Sequence, residues 1–221
     1  MTTTFQQDGF PAALGLIALS LVPAIAGMVR LGELTGGAVT PESIRFFADP
    51  LPVVTHILCS LVFALAGALQ FAPFMRRRWP TWHRHAGRVL VIAGLLSAET
   101  GLHMTLVYDL PATDGEALNV IRVFVGVAMM ISLVIGIAAA RQGDIVTHRA
   151  YMIRAYAIAL GAGTQVLTHL PYLLLIGTPD ETMRTVLMGA GWAINMVYAE
   201  WLIRRTVRRR AFVAGAYLPA A

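Results

Sequence analysis

The sequence has no lysine: all 17 of its basic residues are arginine. Charge of either sign is scarce, at 13% of residues, against roughly 25% in ordinary soluble domains. That deficit excludes a soluble enzyme. Cysteine is nearly absent. The one thiol, Cys59, lies within an apolar run, so no internal disulfide can form, the redox compartment stays unread, and a buried structural role is expected. There is no HExxH or comparable zinc signature. No low-complexity linker or internal repeat divides the chain. The opening MTTTFQQDGF lacks a basic stretch and carries Asp8, so the first apolar run is expected to be a retained helix and not a cleaved signal.

What is abundant is apolar surface: 57% of residues are hydrophobic and the mean hydropathy is +0.67. Crossing a bilayer core of about 30 Å takes about 20 apolar residues as helix. Six segments qualify, at about 10–30, 51–74, 86–108, 119–141, 148–176 and 184–203. The fifth is long enough to tilt. Pro23 and Pro171 lie inside the first and fifth, where proline can kink a membrane helix. The pattern predicts an all-α integral membrane protein, a six-helix transmembrane bundle forming a single domain over 1–221.

The connections alternate in sign. Glu33, Glu42 and Asp49 against Arg45, then Asp109, Asp114 and Glu116, then Asp180 and Glu181 mark one side. Arg76, Arg77, Arg78 and Arg84, then Arg141 and Arg149, then the tail RRTVRRR mark the other. Arginine biases loops to the cytoplasm, which places both termini inside. The net charge of +5 is thereby a topological signal. The arginines cluster at the ends of apolar segments and form no groove-tracking face, so nucleic acid is excluded as a partner. The stretch RRRWPTWHR at 76–84 reads as a short cytoplasmic turn, with Trp79 and Trp82 at the interface and Pro80 breaking the helix between them.

Ionisable residues inside spanning helices are functional candidates. The topology sorts the six histidines into two layers. His83, His85 and His148 lie at the cytoplasmic end, and His56, His103 and His169 toward the outer end. His85 and His103 are 18 positions apart, five full turns at about 100° per residue, with Glu99 on the same face. His56 and Gln70 fall within about 40° of one face, and Arg154 and Gln165 within about 20°, with His169 one turn on. Each of three helices thus carries a polar stripe, and the stripes are expected to point into the bundle.

His56, His103 and His169, with Glu99 one turn deeper, would suit zinc or another borderline metal. Imidazoles facing across a flat gap would suit haem iron. The plainer alternative is that each histidine hydrogen-bonds a neighbouring helix or lipid headgroups. In the inner layer, Arg84, Arg88, Arg149 and Arg154 surround the histidines, as haem propionates, phosphates or anionic lipid would require. Positive-inside bias explains the exposed arginines equally well. For Arg154, two turns into its helix, Glu200 is a candidate partner.

Three runs, HILCSLVFALAGALQF, HRHAGR and HRAYMIR, together resemble a bacterial membrane-protein family catalogued as domain of unknown function 2306. The matching positions are His56, Gly67, Gln70, Phe71, His83, Arg84, Gly87, Arg88, His148, Arg149, Met152 and Arg154, and they cover the second to fifth helices. Tyr151 stands where the family usually has tryptophan, and His103 and His169 lie outside the pattern. The resemblance implies a multi-pass protein of the bacterial inner (plasma) membrane and transfers no activity. A looser similarity is to four-helix membrane cytochromes b, whose histidines on alternate helices ligate haem. His85 and His103 would be about 27 Å apart along the axis, and His148 and His169 about 31 Å, which puts two haems close to the two surfaces. One haem or none fits as well.

Three functions follow as expectations. The first is a redox protein binding haem b through His56, His83, His85, His103, His148 or His169, assisted by Arg84, Arg88, Arg154 and Gln70, and exchanging electrons with quinone or a partner protein. The second is a zinc intramembrane hydrolase using His56, His103 and His169, with Glu99 as general base. The third is a non-enzymatic transporter or assembly factor with no cofactor, although no paired Gly/Pro-interrupted segments appear. Of His83 and His85, the motif favours His83 and the phase favours His85.

Overall fold

The computed structural model of the chain describes residues 9–216, with side chains to Arg208. Among these residues all regular structure is helical. The helices are α1 (Phe10–Gly36), α2 (Ile44–Ala48), α3 (Pro50–Gln70), α4 (Pro73–Arg78), α5 (Pro80–Val107), α6 (Glu116–Arg141), α7 (Ile145–Ala159), α8 (Gly161–Leu175) and α9 (Glu181–Ala216). Five of them are long and apolar enough to cross a membrane, and α7 with α8 adds a sixth span if the bent pair counts as one.

Proline sets several of the boundaries. Pro50, Pro73 and Pro80 each occupy the first helical position, where the missing N–H is no loss and the fixed φ suits the helix. Pro80 therefore opens a helix, and the arginine run lies on the short α4. As a result α5 begins six residues before the expected start at 86, and His83 and Arg84 belong to it. At α7 the start is capped: the Asp144 carboxylate accepts a hydrogen bond from the Thr147 N–H at 3.0 Å.

Four helices close a ring. α5 packs against α3 and α6, α6 against α7, and α7 returns to α3. Phe63, Leu90, Met129, Leu133 and Tyr156 fill the centre. The filling is tight at mid-depth: a Cβ on Gly94 would come within 2.8 Å of the Phe63 ring and 2.9 Å of Leu133. The Tyr156 hydroxyl donates to the Ala64 carbonyl at 2.6 Å, tying α7 to α3. Outside the ring, α1 packs on α3 and α8, and α9 packs on α6, α7 and α8.

The expected fifth span, 148–176, is broken. α7 and α8 meet at a 41° bend around Leu160. The break leaves the Ala157 carbonyl to accept from the Asn195 side-chain Nδ2 at 3.1 Å, and the Thr164 hydroxyl donates to Asn195 Oδ1 at 2.8 Å. Gln165 donates to the Met188 carbonyl at 3.1 Å. A Cβ on Gly161 would lie 2.2 Å from the Trp192 ring nitrogen, and one on Gly163 2.2 Å from the Leu19 carbonyl oxygen. Small residues after the break thus let α8 lie directly on α9 and α1, and α9 side chains satisfy the backbone that the break frees.

Candidate functional site

One end of the ring gathers the C-terminus of α3, the short α4, the N-termini of α5 and α7, and the C-terminus of α6. All the arginine-rich segments except the tail converge there. His148, in the first turn of α7, lies 2.8 Å through Nδ1 from the Gly136 carbonyl oxygen of α6. A carbonyl only accepts, so Nδ1 carries a proton, and the lone pair of the neutral form is on Nε2. His83, in the first turn of α5, has a buried Nδ1 with no hydrogen-bond partner. Arg76 and Arg84 are its charged neighbours, and His148 is near enough to interact with it electrostatically. His83 on α5 and His148 on α7 thus stand at the same end of the ring, near enough for charge on one to be felt by the other, and each has a nitrogen that no described residue hydrogen-bonds.

Gln70, closing α3, is the third polar group. Its Nε2 is likewise buried and unpartnered, and a Cβ on Gly87 would lie 3.8 Å from its Oε1. Arg76 donates to the Gln70 carbonyl at 3.3 Å. Burial, and then the like charges of Arg149 and Arg77, push the Arg76 guanidinium below its ordinary value. Among the described residues no carboxylate pairs with Arg76, Arg84, Arg88 or Arg149. The result is a partly buried helix-end cluster with positive charge in excess and two orphaned polar nitrogens. Each such orphan costs about 1–3 kcal/mol unless something fills it.

Other predicted residues lie elsewhere. His85 and Arg88 are exposed at the rim, whereas Arg84, also exposed, is beside His83. Arg154 is committed: its guanidinium holds both Glu200 carboxylate oxygens, at 2.5 and 3.1 Å, and lies 4.9 Å over the Tyr151 ring. The expected Arg154–Glu200 pair therefore forms, and its charge is neutralised within the fold.

The outer histidines do not converge. His56 lies 2.8 Å through Nδ1 from the Ser97 carbonyl oxygen. His103 is exposed, with Nε2 3.4 Å from Asp49. His169 turns Nδ1 back to the Gln165 carbonyl at 2.8 Å and leaves Nε2 buried without a partner. Among the described residues no group of three or more His, Cys, Asp or Glu side chains is placed to hold a metal ion. Glu99 is exposed. The stripe of His85, Glu99 and His103 does share one face of α5, but that face points out of the ring, contrary to the expected inward direction.

A feature the sequence reading missed joins the opposite end. Asp114, 5% exposed in its side chain, holds Arg184 at 2.5 Å and Arg122 at 2.9 Å. It links the α5–α6 loop to α6 and α9. An acidic loop with arginines a short distance into two spanning helices was the available signal.

A family model described as predicted membrane protein (DUF2306) matches residues 53–203, which takes in the ring, the broken span and the membrane part of α9. No curated protein and no solved structure matches the chain.

Proposed function

The chain belongs to the DUF2306 family of predicted membrane proteins, and we propose that it is a membrane redox protein in which His83 and His148 would hold a haem b. The observation that carries this reading is that two imidazoles stand at the same arginine-rich end of the ring. One has its Nδ1–H tied to the Gly136 carbonyl, and the other has a buried nitrogen without a partner. A histidine that ligates metal typically donates its other ring N–H to a carbonyl or carboxylate, which orients the ring and raises its basicity. The residues around the pair fit the rest of the group. Arg76 and Arg84 carry uncompensated charge suited to propionates, and the apolar ring behind excludes water.

When bound, haem b supplies one-electron chemistry at a potential set by its ligands and its burial. The chain's own part is to hold the two imidazoles, neutralise carboxylates at the rim and keep the centre dry. Gln70, with its free amide N–H beside this end, is placed to donate to an acceptor such as a quinone carbonyl. A membrane quinone or a partner protein would exchange the electrons. Arginine bias orients this end to the cytoplasm, with both termini inside, in a bacterial inner membrane.

The test is haem retention. His83→Ala and His148→Ala should each lose most of the haem measured per chain by pyridine haemochrome, while His103→Ala should keep it. Equal retention in all three removes the assignment.

A second reading, a path for a small solute, draws on the broken span at Leu160, since discontinuous helices mark transporter sites. It ranks lower because the polar side chains at the break bond one another and the backbone.

A further inference from the structure

Glu99 lies two residues beyond Ser97, whose hydroxyl meets that of Ser60 at 2.6 Å. Ser60 stands at the middle of the 21-residue α3, so Glu99 sits within about 3 Å of the mid-depth of that span, at about 1.5 Å per residue. It is on the outward face of α5, with Ile92 at 59% and Leu96 at 38% exposure. No described residue hydrogen-bonds or ion-pairs with it. Lipid tails offer a carboxyl group no hydrogen bond, and such residues normally turn inward or find a partner.

We infer that the outward face of α5 is the seam of a homodimer, in which the Glu99 carboxyl groups of two copies hydrogen-bond each other. The argument is one of depth and self-complementarity. Two copies inserted in the same orientation and related by a two-fold axis along the membrane normal bring identical residues to identical depths. Glu99 therefore meets a second Glu99. A protonated carboxyl donates and its counterpart accepts, which is the polar contact that membrane helix association uses. Leu96 and Ile92, one and two turns toward the arginine-rich end, pack alongside. A different protein would need its own polar group at this depth, whereas a second copy supplies it by symmetry. The inference does not depend on the haem reading.

The experiment uses the full chain with Cys59→Ser, so that introduced thiols are the only ones. In oxidised membranes Leu96→Cys should form covalent dimer at least about tenfold more than Val134→Cys, a control on the exposed face of α6. Light scattering of the wild type in mild detergent should give the mass of two chains. Glu99→Leu should weaken that dimer by about tenfold or more, and Glu99→Gln should keep it, because an amide both donates and accepts. The Leu96 cross-link decides the matter even if Glu99→Leu misfolds. A wild-type mass of one chain, equal cross-linking at both positions, a dimer indifferent to Glu99→Leu, or a different protein bound in place of the second copy would each overturn the inference.

Discussion

Replacing Asp114 by asparagine tests how the end opposite the arginine-rich site is held together. The carboxylate is almost fully buried and bonded to Arg184 at 2.5 Å and to Arg122 at 2.9 Å. At an effective dielectric of about 20, each pair at about 4 Å between charge centres is worth about 4 kcal/mol of attraction. Desolvation of the buried acid returns several of those. Asparagine keeps the shape and one acceptor but leaves two guanidinium groups facing each other uncompensated. The net cost expected is about 3 kcal/mol, the low end for breaking a buried pair, because Arg184 is 32% exposed. In a chain of this size that lowers Tm by about 6–12 °C. The assay is thermal unfolding in detergent at pH 7, followed by circular dichroism. The acid limb gives an independent check. Burial alone would raise the Asp114 carboxyl, but hydrogen bonds and charges from Arg184 and Arg122 outweigh it and hold it below its ordinary value. A depressed folded pKa contributes stability that is present above the unfolded value of about 3.9 and is lost as pH falls through the folded one. The wild type should therefore destabilise below about pH 4 more steeply than Asp114→Asn. A Tm change under about 2 °C with parallel acid limbs would refute the reasoning.

Other substitutions probe the ring and its neighbours. Gly94→Ala puts a methyl group 2.8 Å from the Phe63 ring and should cost about 1–3 kcal/mol as overpacking, read as a lower Tm. Tyr156→Phe removes the hydroxyl that donates to the Ala64 carbonyl and should cost about 1 kcal/mol without changing dimer mass or haem content. Arg154→Met leaves Glu200 unpaired and should destabilise by about 3 kcal/mol, whereas Arg154→Met with Glu200→Met together should recover to within about 1 kcal/mol of wild type. A double variant no better than the single one would contradict the ion-pair account.

Hydropathy made the spans legible because lipid demands long apolar runs whatever the packing. Periodicity also placed His85, Glu99 and His103 on one face of α5. It could not give that face a direction: phase is relative, and the assumption that charge turns inward fails at Glu99. Pro80 reads equally as a breaker or a helix opener, and only its position after Trp79 at a real boundary decides between them. The bend at Leu160 was hidden because its cause is tertiary. Asn195, on a helix more than thirty residues later, satisfies the carbonyl freed at Ala157. The inner site was half visible. Motif favoured His83 over His85, and His83 is the less exposed of the two, but the hydrogen bond of His148 is to a carbonyl in α6 that spacing alone does not reveal. The outer histidines looked like a set because they share a depth. Each instead has its own contact: His56 with the Ser97 carbonyl on α5, His103 with Asp49 just before α3, and His169 with the Gln165 carbonyl of its own helix.

The most direct measurement is the absorbance spectrum of protein purified in detergent from haem-replete cells, oxidised and then reduced with dithionite. The account predicts a Soret band, with α and β bands that sharpen on reduction, as two imidazole ligands require. A featureless spectrum in both states, from folded protein, would contradict it.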